Sequence, residues 1–148
     1  VEQLTDILDK IRNKMETLPK EKQLNGMGDI YYPNIPNIVD ILISDRNAVK
    51  LIVDCAKGTK YEGFLDNIAM RNAESIRIAA ENVEGKTVNS IEGQTMEVLM
   101  DGYIRTLFRL ILSNKKRETI IQCMEMIGKI YEKGIIALME EDVEDELR

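Results

Sequence analysis

The chain has 148 residues, of which 44% are hydrophobic and 31% are charged, and its formal net charge is −6. This length and composition predict a single globular domain over residues 1–148 and exclude a disordered or membrane-spanning protein, because no apolar run is long enough to cross a bilayer. An acidic surface repels phosphate groups, so we expect these residues alone to bind nucleic acid poorly.

The first predicted element is an amphipathic helix over Val1–Leu18. Its apolar residues recur at three- and four-residue steps, the spacing that places side chains on one helix face. Pro19 ends this pattern. The stretch from Pro19 to Pro36 contains all three prolines and two glycines, and this composition predicts a loop.

Two short helices are predicted next. Asn37 is a suitable N-cap for a helix that runs through Ile43. Ser44 or Asp45 would cap a second helix, which Gly58 would end.

A longer helix is predicted from Glu62 to Asn82. Its apolar stripe predicts that five residues face inward: Leu65, Ile68, Ala69, Ile76 and Ala80. No segment alternates like a β-strand for more than a few residues, so the predicted fold class is all-α.

The most apolar part of the chain is a predicted helical hairpin. Asn89 followed by Glu92 predicts a capping box that starts a helix over 89–112, and a basic turn precedes a second helix over 116–139. The first helix has more apolar surface than a contact with one neighbouring element would bury. Because exposed apolar patches of that size are rare on monomers, we expect the hairpin to pack against a second copy of the chain. The predicted dimer residues are Leu107, Leu110, Ile111, Ile120, Met124, Ile127, Tyr131, Gly134, Ile135 and Leu138.

The absence of histidine restricts the chemistry that the chain supports. It excludes His-containing zinc motifs, Ser-His and Cys-His pairs, and the ligand sets of di-iron bundles. Neither a GxxxxGK[ST] loop nor a GxGxxG motif is present. We therefore predict that the chain is not an enzyme and has no metal and no cofactor. The acidic segment 140–148 is expected to be a solvated tail.

Both cysteines lie in apolar-striped segments. Cys55 and Cys123 are therefore expected to be buried, reduced thiols of a cytoplasmic protein.

Three segments carry a resemblance to a known family: Gly58-Thr59-Lys60-Tyr61-Glu62-Gly63-Phe64, Gly102-Tyr103-Ile104-Arg105-Thr106-Leu107-Phe108 and Ile127-Gly128-Lys129-Ile130-Tyr131-Glu132-Lys133-Gly134. In this order they resemble the C-terminal regulatory domain of TetR-family transcriptional regulators. The similarity covers nearly the whole chain, and we expect the family's helix-turn-helix head to be missing from it.

The resemblance implies a homodimer held by a four-helix bundle, with the helix over 1–18 connecting the domain to the missing head. It also implies a pocket for a small-molecule effector, which would change the spacing of the DNA-binding heads. DNA would be bound only through those heads. Together with the apolar periodicity, it suggests these ligand-binding residues: Met15, Ile52, Tyr61, Phe64, Ile68, Met100 and Tyr103.

Two alternatives stay open beside this interpretation. The chain is a helical dimeric adaptor without an effector pocket, or, with less support, an all-α enzyme that uses tyrosine, lysine or carboxylates. Arg71, Arg77 and Arg105 would orient a carboxylate-bearing ligand if they pointed inward, although arginines on helices usually face solvent. A cavity of roughly 300 Å³ or more would favour the effector domain over the adaptor.

Overall fold

The computed structural model describes residues 31–84 and 87–146 together with Asp6, Asp9 and Asn13, with the backbone alone at 83–84 and 139–146. A 3-10 helix, Tyr32–Asn34, leads into five α-helices: α1 Ile35–Ser44, α2 Arg46–Asp54, α3 Phe64–Glu84, α4 Ser90–Leu112 and α5 Arg117–Glu146. The described residues contain no β-strand, so the all-α prediction is confirmed. Most of the helix predicted over 1–18 lies outside the described residues, although Asp6, Asp9 and Asn13 are helical.

The start of α1 differs from the prediction. The helix begins at Ile35 with Pro36 in its first turn, where a missing backbone N–H breaks no helical hydrogen bond. Asn37 is therefore not its cap. The residues from Tyr31 to Pro36 are helical rather than part of a loop, and the rest of the predicted loop lies outside the described residues.

The start of α2 follows the predicted capping chemistry, whereas Cys55 rather than Gly58 caps its end. The Asp45 side chain caps the helix by accepting a hydrogen bond from the Ala48 N–H at 3.1 Å. The helix ends at Asp54, and Gly58 lies in the turn beyond it with a φ of 78°, which favours glycine.

The helices α3 and α4 form the most extensive contact in the fold. All five residues that the sequence predicts to face inward from α3 are buried, so this stripe is confirmed. The capping box of α4 is also confirmed. Asn89 Oδ1 accepts from the Glu92 N–H at 2.9 Å, and Glu92 Oε2 accepts from the Asn89 N–H at 3.3 Å.

The central helix of the described fold is α4, which packs against α1, α2, α3 and α5. Six of its apolar residues are buried by these neighbours: Met96, Met100, Ile104, Leu107, Phe108 and Ile111. The apolar surface of α4 that we expected a second copy to cover is therefore largely covered by other helices of the same chain.

The last helix, α5, packs against α1 and α4. Its first residue, Arg117, fixes it to α1 through two hydrogen bonds to Asp40, from Nε at 2.6 Å and from Nη2 at 3.0 Å. The helix does not end at Met139 as predicted. The backbone is helical through Glu146, so most of the acidic segment continues α5.

Candidate functional site

A groove with a volume of about 560 Å³ lies between the middle of α3 and the first turns of α4. Its apolar floor includes Ala73 and Met96, which are buried. Its apolar rim includes Met70 and Ile78, whose side chains are 60% and 43% exposed. The groove is large enough for a small organic molecule, and its exposed rim makes it reachable from solvent.

The N-terminal part of the chain contributes to this groove. Asn13 is one of the lining residues. Arg71, on the α3 wall, donates from Nη2 to Asp9 Oδ1 at 2.8 Å. The segment that carries Asp9 and Asn13 therefore contacts the same wall that a bound molecule would contact.

Carboxylates pair with the second arginine of the groove, Arg77. Its guanidinium bonds Glu74 through two nitrogens and donates from Nη1 to Glu81 Oε1 at 2.9 Å. The hydrogen bond from Arg77 lowers the pKa of the Glu74 carboxyl, which keeps it ionised. Arg105, outside the groove, likewise bonds Asp66 and Asp101. All three arginines that we considered as carboxylate ligands are thus partly exposed and paired.

A second feature is a tyrosine cluster, which we define as Tyr31, Tyr32, Tyr103 and Tyr131. It holds four of the five tyrosines of the chain. Tyr103 Oη donates to Tyr31 Oη at 2.9 Å, and the rings of Tyr103 and Tyr131 lie 5.0 Å apart between centroids. Tyr32 Oη donates to Glu132 Oε2 at 2.7 Å. The cluster joins the start of the described chain to α4 and α5.

Burial sets the protonation of this cluster. Removal from water raises the pKa of Tyr31 to about 12, because the phenolate loses its hydration, and the hydrogen bond from Tyr103 offsets part of this effect. Burial also raises the pKa of Tyr103 and of Tyr32, and the Glu132 carboxylate raises the latter further. These phenols are neutral at physiological pH and act there as packing and hydrogen-bonding groups.

The predicted ligand residues do not come together at the groove. Ile52, Ile68 and Met100 are buried in the core. Phe64 packs edge-on against Phe108 and so forms part of the contact between α3 and α4. Two more lie elsewhere and one is outside the described residues: Tyr61 is under the Lys60 ammonium, Tyr103 is in the tyrosine cluster, and Met15 is not described.

The predicted dimer residues divide into two sets. Five of them are buried within the single chain and have no surface left for a partner: Leu107, Ile111, Ile120, Met124 and Ile135. This part of the interface assignment is corrected, because the contacts of α4 and α5 inside the chain cover these side chains. Leu110, Ile127, Tyr131 and Leu138 are half-buried and Gly134 is exposed, so for them the partner contact stays a prediction.

Several apolar residues of α4 and α5 that the predicted interface does not include are exposed. Val98, Met126 and Ile130 are 72%, 65% and 69% exposed. Their signal was present in the sequence, since Met126, Ile130 and Gly134 follow one another at four-residue steps. It was overlooked because the stripe through Ile120 and Met124 is longer and more regular.

The two cysteines differ from each other. Both are free thiols, but Cys55 is exposed just past the end of α2 and Cys123 is half-buried in α5. The prediction that Cys55 is buried was wrong, because the helix ends before the residue can join its apolar stripe.

Searches for metal sites, membrane spans and relatives gave no assignment. Among the described residues, no group of three or more acidic or cysteine side chains could hold a metal ion, and no helix is long and apolar enough to cross a membrane. No family model matches the sequence, and neither a curated protein nor a solved structure is significantly similar to the chain.

Proposed function

We propose that the chain is the effector-sensing and homodimerisation domain of a transcriptional repressor similar to the TetR family. A small molecule binds in the groove between α3 and α4, and the N-terminal segment relays this binding to a DNA-binding head. The observation that carries the proposal is the arrangement of Asp9 and Asn13, which contact the groove wall and line the groove.

The relay needs a contact that binding can change. The Arg71–Asp9 ion pair is half-exposed on both sides, and exposed pairs contribute only about 0–1 kcal/mol. A ligand beside Arg71 would shift or replace this pair at little energetic cost. A differential affinity of about 1–3 kcal/mol between two positions of the N-terminal segment is typical of such coupling.

The groove favours a ligand of limited polarity. Its floor is apolar, and Arg71 and Arg77 are already paired with carboxylates. A strongly anionic molecule would have to displace these carboxylates. We therefore expect a mainly apolar ligand that covers Met70 and Ile78.

A helical dimeric adaptor is the second candidate. The exposed apolar residues of α4 and α5 favour it, because they offer apolar surface to a partner and need no effector. The volume of the groove favours the sensor over the adaptor.

Gly93 allows a direct test of the groove. A Cβ atom at this position would meet nothing within 4 Å, so Gly93→Trp fills the groove without disturbing the core. A library of small apolar compounds is screened by thermal shift against the natural chain, Gly93→Trp and the control Asn47→Trp, which adds the same side chain to an exposed position of α2.

We expect compounds that stabilise the natural chain and the control but not Gly93→Trp, since ligands that bind only the folded state raise its stability. Binding that survives in Gly93→Trp would place the effector elsewhere. If no compound binds the natural chain, the adaptor becomes the better hypothesis.

A further inference from the structure

The exposed side of α5 carries an apolar stripe, which we define as Met126, Ile130 and Gly134. The first two side chains are about two-thirds exposed, and a Cβ atom at Gly134 would meet nothing within 4 Å. The three residues are four positions apart and so lie on one helix face. Ala137, on the same side, is also exposed. This face has no partner among the described residues.

We infer that two copies of α5 pack antiparallel along this stripe, with the two-fold axis at Ile130. The inference rests on the proposed homodimer and specifies its register. With the axis at Ile130, a residue a given number of positions before Ile130 faces the partner's residue that lies the same number of positions after it. Met126 then meets the partner's Gly134, so that a long flexible side chain fills the open space over a glycine, and this occurs twice per dimer.

The charges at the two ends of α5 favour the same register. Lys115 and Lys116 precede the helix, and the segment from Glu140 to Glu146 contains six carboxylates. The axis at Ile130 places Lys116 opposite the partner's Glu144 and Lys115 opposite the partner's Asp145. Both ends lie roughly 21 Å from the axis, by the rise of about 1.5 Å per residue. The helical backbone through Glu146 carries the acidic segment far enough to reach the basic turn.

The alternative orientation is unfavourable on the same grounds. A parallel pair would bring the two acidic ends together and the two basic turns together, and like charges at close range repel. The lysines are also available. Arg117 is bonded to Asp40, whereas Lys115 and Lys116 are exposed and form no ion pair with any described residue.

A charge-swap experiment tests the register. The basic-end variant is Lys115→Glu with Lys116→Glu, and the acidic-end variant is Glu144→Lys with Asp145→Lys. Acidic residues just before a helix favour it, so the basic-end variant keeps α5 folded. The control, Lys50→Glu with Lys57→Glu, changes the net charge by the same amount as the basic-end variant at exposed positions outside α5.

We expect each variant alone to dimerise on the order of tenfold more weakly at low salt, because both ends of its dimer would carry like charges. An equimolar mixture should form heterodimers with close to the natural Kd, since each end then pairs opposite charges. The control should stay within about twofold. If both variants keep the natural Kd, or the mixture is not rescued, the register is wrong.

Cross-linking provides an independent measurement of the same register. Cys123 and Ala137 are equidistant from Ile130, so Ala137→Cys should be joined by a short bifunctional maleimide to the partner's Cys123. Cys55, which is exposed, is replaced by serine in every sample. Without Ala137→Cys, the two Cys123 residues are separated by roughly 21 Å along the helices and should not be joined.

Cys123→Ser should abolish the product, and joining of unmodified Cys123 pairs would overturn the register. Sedimentation shows whether a failed test concerns the register alone or the homodimer itself. A dimer that fails both tests overturns the register alone. A chain that is monomeric at all concentrations overturns the homodimer as well.

Discussion

The most crowded glycine of α5 is Gly128, and it provides a sharp test of the tyrosine cluster. A Cβ atom there would lie 3.1 Å from Tyr32 Cε1 and 3.5 Å from Tyr103 Oη. Gly128→Ala therefore pushes on a ring that is fixed at its far end by the hydrogen bond to Glu132. Gly93→Ala is the matched control, because it makes the same change inside a helix with open space around it.

Two opposing effects set the expected magnitude. Replacing glycine by alanine inside a helix stabilises it by about 1 kcal/mol at either position. At Gly128, moving the Tyr32 ring lengthens a 2.7 Å hydrogen bond to a carboxylate, and such bonds contribute about 1.5–3 kcal/mol. We expect Gly128→Ala to lower the free energy of unfolding by about 0.5–2 kcal/mol, whereas Gly93→Ala raises it by about the helix increment.

Urea unfolding at one fixed protein concentration measures both changes, provided that the m-values agree. The two variants should differ by about 1.5–3 kcal/mol, which is the contribution of the hydrogen bond. An equal gain in both would mean that Tyr32 moves aside freely, and the tyrosine cluster would then not be a fixed joint between α5 and the start of the described chain.

Three further predictions follow from single contacts. Asn89→Ala removes the cap of α4 and should lower the free energy of unfolding by about 1 kcal/mol in the same urea assay, whereas Ser90→Ala should not. Burial raises the pKa of Tyr31 to about 12. This shift contributes to the free energy of unfolding in full below pH 10, and the contribution is lost as the pH rises from 10 to 12. Tyr31→Phe should therefore reduce the fall in stability over that range by about 1.4 kcal/mol per pH unit, and an unchanged slope would contradict the burial. Ile130→Glu should yield folded monomers in sedimentation, whereas Met70→Glu, which is similarly exposed on α3, should stay dimeric.

The sequence predicted the parts of the fold that depend on local chemistry. The capping residues Asp45 and Asn89 have side chains that satisfy the first N–H groups of a helix, and this requirement does not depend on the rest of the chain. The inward face of α3 was also predictable, because one apolar stripe with a polar opposite side allows only one orientation.

Much of the apolar surface of α4 is covered by tertiary contacts that the sequence pattern does not specify. Periodicity shows that a helix has several faces to bury, but not what covers each face. In the structure, four neighbouring helices cover Ile104, Phe108 and the other buried residues of α4, while Val98 stays exposed. A second copy of the chain was therefore not needed to explain them.

The groove was not predictable for a related reason. It depends on where α3 and α4 diverge and on the approach of Asn13, and neither is encoded in a local pattern. The predicted ligand residues were large apolar or aromatic side chains, which in a well-packed domain fill the core. The groove instead has small residues, Ala73 and Gly93, where space is left.

The position of α4 connects the groove with the proposed dimer face. Met96 forms part of the groove floor, and Gly102, less than two turns later on the same helix, faces the hydroxyl of Tyr131 at 3.7 Å from its Cβ position. Tyr131 belongs to α5, one residue after Ile130. A helix is stiff over this distance, so a shift of the α4 backbone at Met96 would also reach its contact with α5. Under the proposed function, one helix therefore carries both the ligand contact at Met96 and the contact of α4 with the helix that forms the proposed dimer.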